Sequence, residues 1–348
     1  MGSSMKKKIP PGYLLPSAAL ALKKGQIKWY SFLDKAPEPG DVVYGKVTRL
    51  GHHSTLENRS GRVHALNDGS RAVFVFGNRY ATDHYEGIVP SEPTAEVDML
   101  ARSGVVGSVR QKNSVLKDPT RIRILGYVCD DNEQIINTRN FPLIVPAKSE
   151  KKRGERAKLI LVVGTSMNSG KSTAAAACCW ALSAMGYDVR ASKVTGTASL
   201  KDILHMNDCG ASVYNDFTYF GHPSTYMLSP EELLRIFTHT DLKFANNPKN
   251  FWVVEFADGI LQRETEILLA SDEVQSRIHR LVFCASEALG CVGGLKVLKE
   301  RFQLVPDAIS GIISSSPLAL QELADHGGDI PVFNNLERDL KQISEILI

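Results

Sequence analysis

LILVVGTSMNSGKST, Leu159 to Thr173, decides how the second half of this chain folds. Leu159 to Val163 is an unbroken apolar run with β-branched residues, the pattern of a strand buried on both faces. It passes directly into a glycine-bearing turn and then into the alanine-rich stretch Thr173 to Leu182, which reads as a helix. Strand, loop and helix in that order make a phosphate-binding loop. Gly164 and Gly170 let successive backbone N–H groups face one concavity, the helix start adds partial positive charge, and Lys171 adds a full one. Gly164, Thr165, Ser166, Met167, Asn168, Ser169, Gly170, Lys171, Ser172 and Thr173 are therefore expected to wrap the phosphates of a nucleotide, with Ser172 as a magnesium ligand. The common spacing leaves four residues between the two glycines, whereas five separate them here.

Working outward, 348 residues with 43% hydrophobic content can bury one large core or two ordinary ones, and the length favours two domains. No apolar run approaches the ~20 residues that span a bilayer, so a membrane role is set aside and a cytoplasmic location is the default. The opening MGSSM has the look of an expression-vector remnant, with the native start at Met5. Six cysteines (Cys129, Cys178, Cys179, Cys209, Cys284, Cys291) lack paired metal spacing, and several lie in apolar runs. Buried free thiols are expected. The net charge of +3 is unevenly shared, with 21 Lys and Arg against 15 Asp and Glu in residues 1–150, which suits an anionic ligand without demanding one.

Residues 1–40 form a proline-punctuated extension in which Leu14 to Leu22 could make one helix. From 41 to 146 the texture is short β-type runs separated by turn chemistry, which indicates a small, mostly antiparallel barrel or sandwich. The last of these runs is QIINTRNFPLIVP. A charged, apolar-poor linker follows at 147–157, and from 158 to 348 strands alternate with helices. That alternation predicts an α/β domain whose mostly parallel sheet is covered on both faces. Its strands are expected at DVRASKV, ASVYND, FWVVEF, RLVFCA, DAISGII and PVF.

Ligands of such sheets bind at the carboxyl ends of the strands. Lys193, followed by the small hydroxylic residues of TGT, ends the second strand and is a candidate phosphate or substrate contact. Asp216 ends the third and Glu255 the fourth, and carboxylates there suit a magnesium–nucleotide site. Each could instead be a helix cap or a surface charge. The irregular FTYFGHPSTY after Asp216 reads as an active-site loop. His222 within it is more simply a loop histidine, and Asp258, Gln262 and Arg263 could equally cap the next helix. Ser314, Ser315 and Asn334 are candidates for base recognition. His52 and His53 have no second His or Cys pair at ligand spacing, so no metal centre is expected from them.

GTSMNSGKST resembles the extended phosphate loop of dethiobiotin synthetase-like enzymes. KVTGT (193–197), VVEFADG (253–259) and ALGCVGGLKVL (288–298) are similar, in the same order, to that family's later strand ends and its Leu-Gly-Cys turn. KVTG and Asp216-Phe217 also echo a related family linked to D-glutamate N-acylation. The resemblance covers roughly residues 157–348. It implies a P-loop NTPase fold and an ATP and Mg²⁺ site, with Lys171 on the phosphates and Ser172, Asp216 and Glu255 around the metal. Lys193 would then face the transferred phosphoryl group. It further implies a homodimer acting on a small-molecule substrate of carboxylate type, as a ligase, synthetase or kinase. FADGILQRET and FTYFGHPSTY depart from the family, so the substrate is not carried over.

The main rival is a nucleotide-controlled switch acting on a partner protein. Switch ATPases of this superfamily carry a lysine five residues before the invariant one, and here that place is Ser166. A third reading is a nucleic-acid-directed ATPase recruited by the basic front domain, whose polar pieces are Asn78, Arg79, Tyr80, Asp83 and Tyr85, and then Arg110, Gln111, Lys112 and Asn113. Aromatic residues are too sparse there to favour nucleic acid.

Overall fold

The computed structural model describes residues 6–145, 154–326 and 329–348. Residues 1–5, 146–153 and 327–328, on which the expected vector remnant and most of the expected linker fall, lie outside the described residues. The chain divides into two units, one of Met1–Val145, Gly196–Lys201 and Phe217–Met227, the other of Pro146–Thr195, Asp202–Asp216 and Leu228–Ile348.

The first unit contains β1 (Lys7–Lys8), β2 (Trp29–Ser31), β3 (Val42–Arg49), β4 (Thr55–Glu57), β5 (Val63–Ala65) and β6 (Arg71–Phe76). It continues with β7 (Arg79–Tyr80), β8 (Tyr85–Ile88), β9 (Glu96–Met99), β10 (Val105–Lys112) and β11 (Arg121–Cys129). β4 and β5 pair by themselves, and the other nine run in the order β1-β2-β11-β3-β6-β10-β8-β7, with β9 pairing both β10 and β11. That double pairing closes β11, β3, β6, β10 and β9 into a ring, which leaves no free edge among those five. All pairs in this sheet are antiparallel except β6 with β10.

The barrel core is Val43, Val47, Phe74, Phe76, Val97, Met99, Val106, Ile122, Ile124 and Tyr127, joined by Leu56 and Leu66. Gly45 packs directly against this core, and a Cβ there would sit 2.6 Å from Ile122 Cγ2 and 3.1 Å from the Phe74 ring. Both neighbours are themselves buried and cannot retreat. Gly45→Ala is expected to destabilise the protein by about 1–3 kcal/mol in urea unfolding, the usual range for overpacking a filled core.

Three features depart from the sequence reading. Residues 6–40 are built into the first unit through β1 and β2, and Leu14 to Leu22 forms only a single 3₁₀ turn, Ser17–Ala19. Pro16 biases Leu15 away from helical geometry, and too few residues follow it to nucleate a helix. The expected strand at QIINTRN contributes only isolated bridges and a 3₁₀ turn, Thr138–Asn140, because the Asn137 side chain accepts the Arg139 N–H and turns the backbone. FTYFGHPSTY groups with the first unit rather than with the second. Thr138 Oγ1 donates to Gly221 O at 2.6 Å, and the Tyr226 hydroxyl donates to Glu86 Oε1 at 2.9 Å. Gly196–Lys201 is held in the same unit, with the Leu200 N–H donating to buried Glu57 Oε1 at 3.0 Å.

The second unit is an α/β fold. Its elements are β12 (Lys158–Gly164), α1 (Lys171–Ala184), β13 (Val189–Lys193), α2 (Leu200–Asp208), β14 (Ala211–Asp216), α3 (Pro230–Phe244) and β15 (Phe251–Glu255). Then come α4 (Arg263–Leu269), α5 (Asp272–Gln275), β16 (Ile278–Cys284), α6 (Ala288–Phe302), β17 (Ala308–Ser310), α7 (Pro317–Ala324) and α8 (Leu340–Leu347). The strand order is β14-β13-β15-β12-β16-β17, and every pair is parallel. Leu159 to Val163 are fully buried, as the unbroken apolar run requires of a central strand. Ala174 to Cys179 of α1 are buried as well, their small side chains allowing the helix to lie close to the sheet. The expected strand at PVF contributes only one bridge, Ile309 to Val332.

All six cysteines are free and five are buried, with burial pushing the Cys178 thiol up to about 12. Among the described residues no helix is long and apolar enough to cross a membrane.

Candidate phosphate-binding site

The loop between β12 and α1 is shaped by backbone that few residues can adopt. Gly170 has φ +95° and Asn168 has φ +62°. A Cβ on Gly170 would stand 2.7 Å from Gly311 Cα, and one on Gly164 would stand 2.7 Å from Cys284 O. The loop is thus held against the ends of β16 and β17. The Thr165 N–H donates to Cys284 O at 2.9 Å, and the Ile312 N–H donates to Ser169 O at 3.1 Å. Asn335 Nδ2 donates to Gly170 O at 3.3 Å.

α1 begins at Lys171, and Gly170 at its N-cap has no side chain to satisfy the first-turn N–H groups. Those donors, together with the helix dipole, make the loop a receptor for an anion. Lys171 is buried, with its ammonium donating to Ser166 O at 2.6 Å. Burial pulls its pKa below the ordinary lysine value, against the raising influence of Glu255 and Asp258. A buried ammonium under that penalty gains most from an anionic partner.

Lys193, Asp216 and Glu255 stand in one row at the carboxyl ends of adjacent strands, since Lys193 is in register with Asp216 on one side and with Glu255 on the other. All three are buried. Ser172 Oγ donates to Glu255 Oε1 at 3.2 Å, and Lys193 Nζ lies 3.6 Å from the same oxygen. Lys193 also forms a close ion pair with Asp202, in the first turn of α2. Burial alone would depress Lys193, but Asp202 and Glu255 carry it above the usual lysine range. Burial raises Glu255, opposed first by Lys193.

Glu255 Oε2 is buried and has no hydrogen-bond partner among the described residues. A carboxylate oxygen left so, beside a serine hydroxyl and a phosphate-binding loop, fits a magnesium ion, which takes few protein ligands and completes its shell with water and phosphate oxygens. Ser172 and Glu255 are the pair that could hold such an ion. Asp216 is separated from Glu255 by β13, which places their strands two spacings, roughly 9.6 Å, apart.

The other candidates sort by what they touch. Gln262 caps α4, accepting from the Glu264 and Thr265 N–H groups, and Arg263 donates to Leu228 O. Asp258 has φ +60° and acts electrostatically on both Lys171 and Lys193. The Ser314 and Ser315 hydroxyls return to the carbonyls of Gly311 and Ile312, and Asn334 accepts from the Leu336 and Glu337 N–H groups. His222 falls in the segment that belongs to the first unit. Sequence reasoning missed Asp202 and Asn335, and it placed Thr195 at this rim without a partner. Thr195 Oγ1 accepts the Ala257 N–H at 2.8 Å and ties the second strand end to the fourth. The available signal for Asp202 was its acidic place in the first turn of a helix.

No family model and no curated protein matches the chain. Among solved structures, it is similar to a ParA family ATPase from Chlorobium tepidum TLS, at 17% identity over 55% of this chain and 88% of that one, with a TM-score of 0.36. It is similar to the cell division protein FtsY from Thermotoga maritima at 15% identity, over 62% of this chain and 79% of that one, with a TM-score of 0.40. The signal recognition particle receptor FtsY from Elizabethkingia anophelis, in complex with GDP, matches at 9% identity over 60% and 69%, with a TM-score of 0.37.

Proposed function

We propose that the second unit binds a magnesium–nucleoside triphosphate in the Gly164–Thr173 loop, hydrolyses its terminal phosphoanhydride, and passes its nucleotide state along the chain to the β-rich unit. The nucleotide reading rests on the uncapped start of α1, the buried Lys171 and the unpartnered Glu255 Oε2. Magnesium, held by Ser172 and Glu255, would screen the phosphate charge. Lys171 neutralises the phosphates from inside the loop. Lys193, fixed by Asp202 and Glu255, faces the phosphoryl group in transfer, and Asp216 is the carboxylate beyond it on the acceptor side.

One observation carries the switch reading. The strand ends at Lys193–Thr195 and Asp216 continue without a break into 196–201 and 217–227, which are hydrogen-bonded into the β-rich unit. A change at those strand ends on phosphate loss therefore has a covalent route out of the nucleotide unit. A second reading, phosphoryl transfer to a small carboxylate in a synthetase- or kinase-like homodimer, is favoured by Ser166 standing where a switch lysine would be. Phosphate release with Mg-ATP or Mg-GTP alone, then with a pool of small metabolites, separates the two. Turnover indifferent to metabolites supports the switch; turnover that requires them replaces it with the synthetase.

The raised Glu255 carboxyl sets a pH dependence. Its proton is held to higher pH than an ordinary carboxylate holds one, so the carboxylate form that would bind magnesium disappears early on acidification. Magnesium binding to the nucleotide-free protein should therefore weaken on acidification earlier than at an ordinary carboxylate site, and the Glu255→Gln variant should lack that dependence, as read by magnesium titration across pH.

A further inference from the structure

The β-rich unit holds a cluster that the nucleotide chemistry does not use. His52 and His53 follow β3, and His84 lies in the turn between β7 and β8, 32 residues from His52. One ring nitrogen from each lies within 4.8 Å of the others, and His52 Nε2 is 3.0 Å from His84 Nδ1. We propose that His52, His53 and His84 bind a divalent transition-metal ion, for which zinc is the best match to an all-imidazole donor set.

The distances suit that ion. A tetrahedral zinc with Zn–N bonds of about 2.0–2.1 Å holds its ligand nitrogens roughly 3.4 Å apart, inside the range this cluster spans. The backbone beneath the rings is fixed by hydrogen bonds. The Gly51 N–H donates to Thr120 Oγ1 at 2.8 Å, the His52 N–H donates to Asp118 O at 2.8 Å, and Thr120 Oγ1 donates to His53 O at 2.6 Å. The His84 N–H donates to Ala81 O at 2.9 Å, and His84 O accepts from the Asn113 N–H at 3.0 Å. Two separate loops are thus held with their imidazoles converging. The Tyr85 ring packs edge-on to both His52 and His53, with centroids 5.9 Å away.

Imidazole nitrogens suit zinc, copper and nickel, and they ligate only when neutral. Burial, with Arg79 and the neighbouring imidazoles adding to it, holds His53 down to about 3 and His84 down to about 4, so both are neutral at physiological pH. A cavity of about 550 Å³ opens beside His52, lined also by Leu50, Gly51, Ser54, Val115 and Lys117. It supplies an entry path and room for an exchangeable fourth ligand, as in three-histidine sites that keep one position open. Arg79 Nη1 stands 3.0 Å from His53 Nε2 and is the local competitor of a bound cation. Asp83, beside His84, and Asp118, beside Tyr85, oppose that positive charge.

The test uses the full chain without a histidine tag, stripped with a chelator and kept in millimolar Mg²⁺. It is titrated with Zn²⁺ by calorimetry and with Co²⁺ as an optical probe. About one ion per chain is expected, with the visible bands of a four- or five-coordinate nitrogen-bound cobalt. His52→Gln and His84→Gln should each weaken binding at least about tenfold, while Arg79→Met, which removes the competing charge, should hold or tighten it. Melting of the metal-free variants checks that they fold. The wild-type spectrum decides even if a variant does not fold. No uptake, thiolate-to-cobalt charge-transfer absorption, or binding unchanged in the His52→Gln/His84→Gln double variant would each overturn the proposal.

Discussion

Lys171→Ala should lower Mg-nucleotide turnover by at least about 100-fold, the scale on which a single preorganised positive group acts on phosphoryl-transfer charge. The same variant should leave the unfolding transition nearly in place. Its ammonium donates to one loop carbonyl, Ser166 O, a bond worth about 1 kcal/mol net, and burial already disfavours its charged form. The lost hydrogen bond and the relieved burial penalty partly cancel. Steady-state phosphate release with matched urea curves checks the pair of outcomes. Near-wild-type turnover in this variant would remove the loop from the chemistry.

Lys193→Met is expected to be the most destabilising change of a site residue. The replacement keeps length and packing while removing the ammonium shared by Asp202 and Glu255, leaving only Lys171 to act on Glu255. The side chain of Glu255 is 2% exposed and that of Lys193 9%, so water cannot take over the screening. Removing one partner of a buried ion pair costs about 3 kcal/mol or more, most of it from the charges left behind. Asp202→Asn should be milder, because Glu255 still neutralises Lys193 and the Asp202 side chain is 21% exposed. Urea midpoints for the two variants give the comparison. Equal midpoints would mean that Lys193 is not the hub of this network.

What the sequence made legible was local. The run Leu159 to Val163 and the glycines at 164 and 170 report backbone geometry, and strand, loop and helix follow in the expected places. The carboxyl-end residues Lys193, Asp216 and Glu255 were readable because each terminates an apolar run, and the parallel register then sets them side by side. The pairing of Lys193 with Asp202 was not readable, because it depends on how α2 turns back toward the sheet. Closure of the barrel was equally hidden. β9 is Glu-Val-Asp-Met, too short and too charged to stand out, yet it pairs on both sides. The convergence of His84 on His52 and His53 was hidden for a similar reason: spacing along the chain says nothing about residues that two loops bring together.

Hydrogen exchange followed by mass spectrometry, with and without Mg-ATP, tests the central claim most directly. Residues 164–173 should gain protection on nucleotide addition, 196–201 and 217–227 should change with them, and Lys171→Ala should abolish both responses. If 164–173 exchanges identically with and without nucleotide, the site is wrong. If it is protected while both of the other segments stay unchanged, the nucleotide site stands and the switch does not.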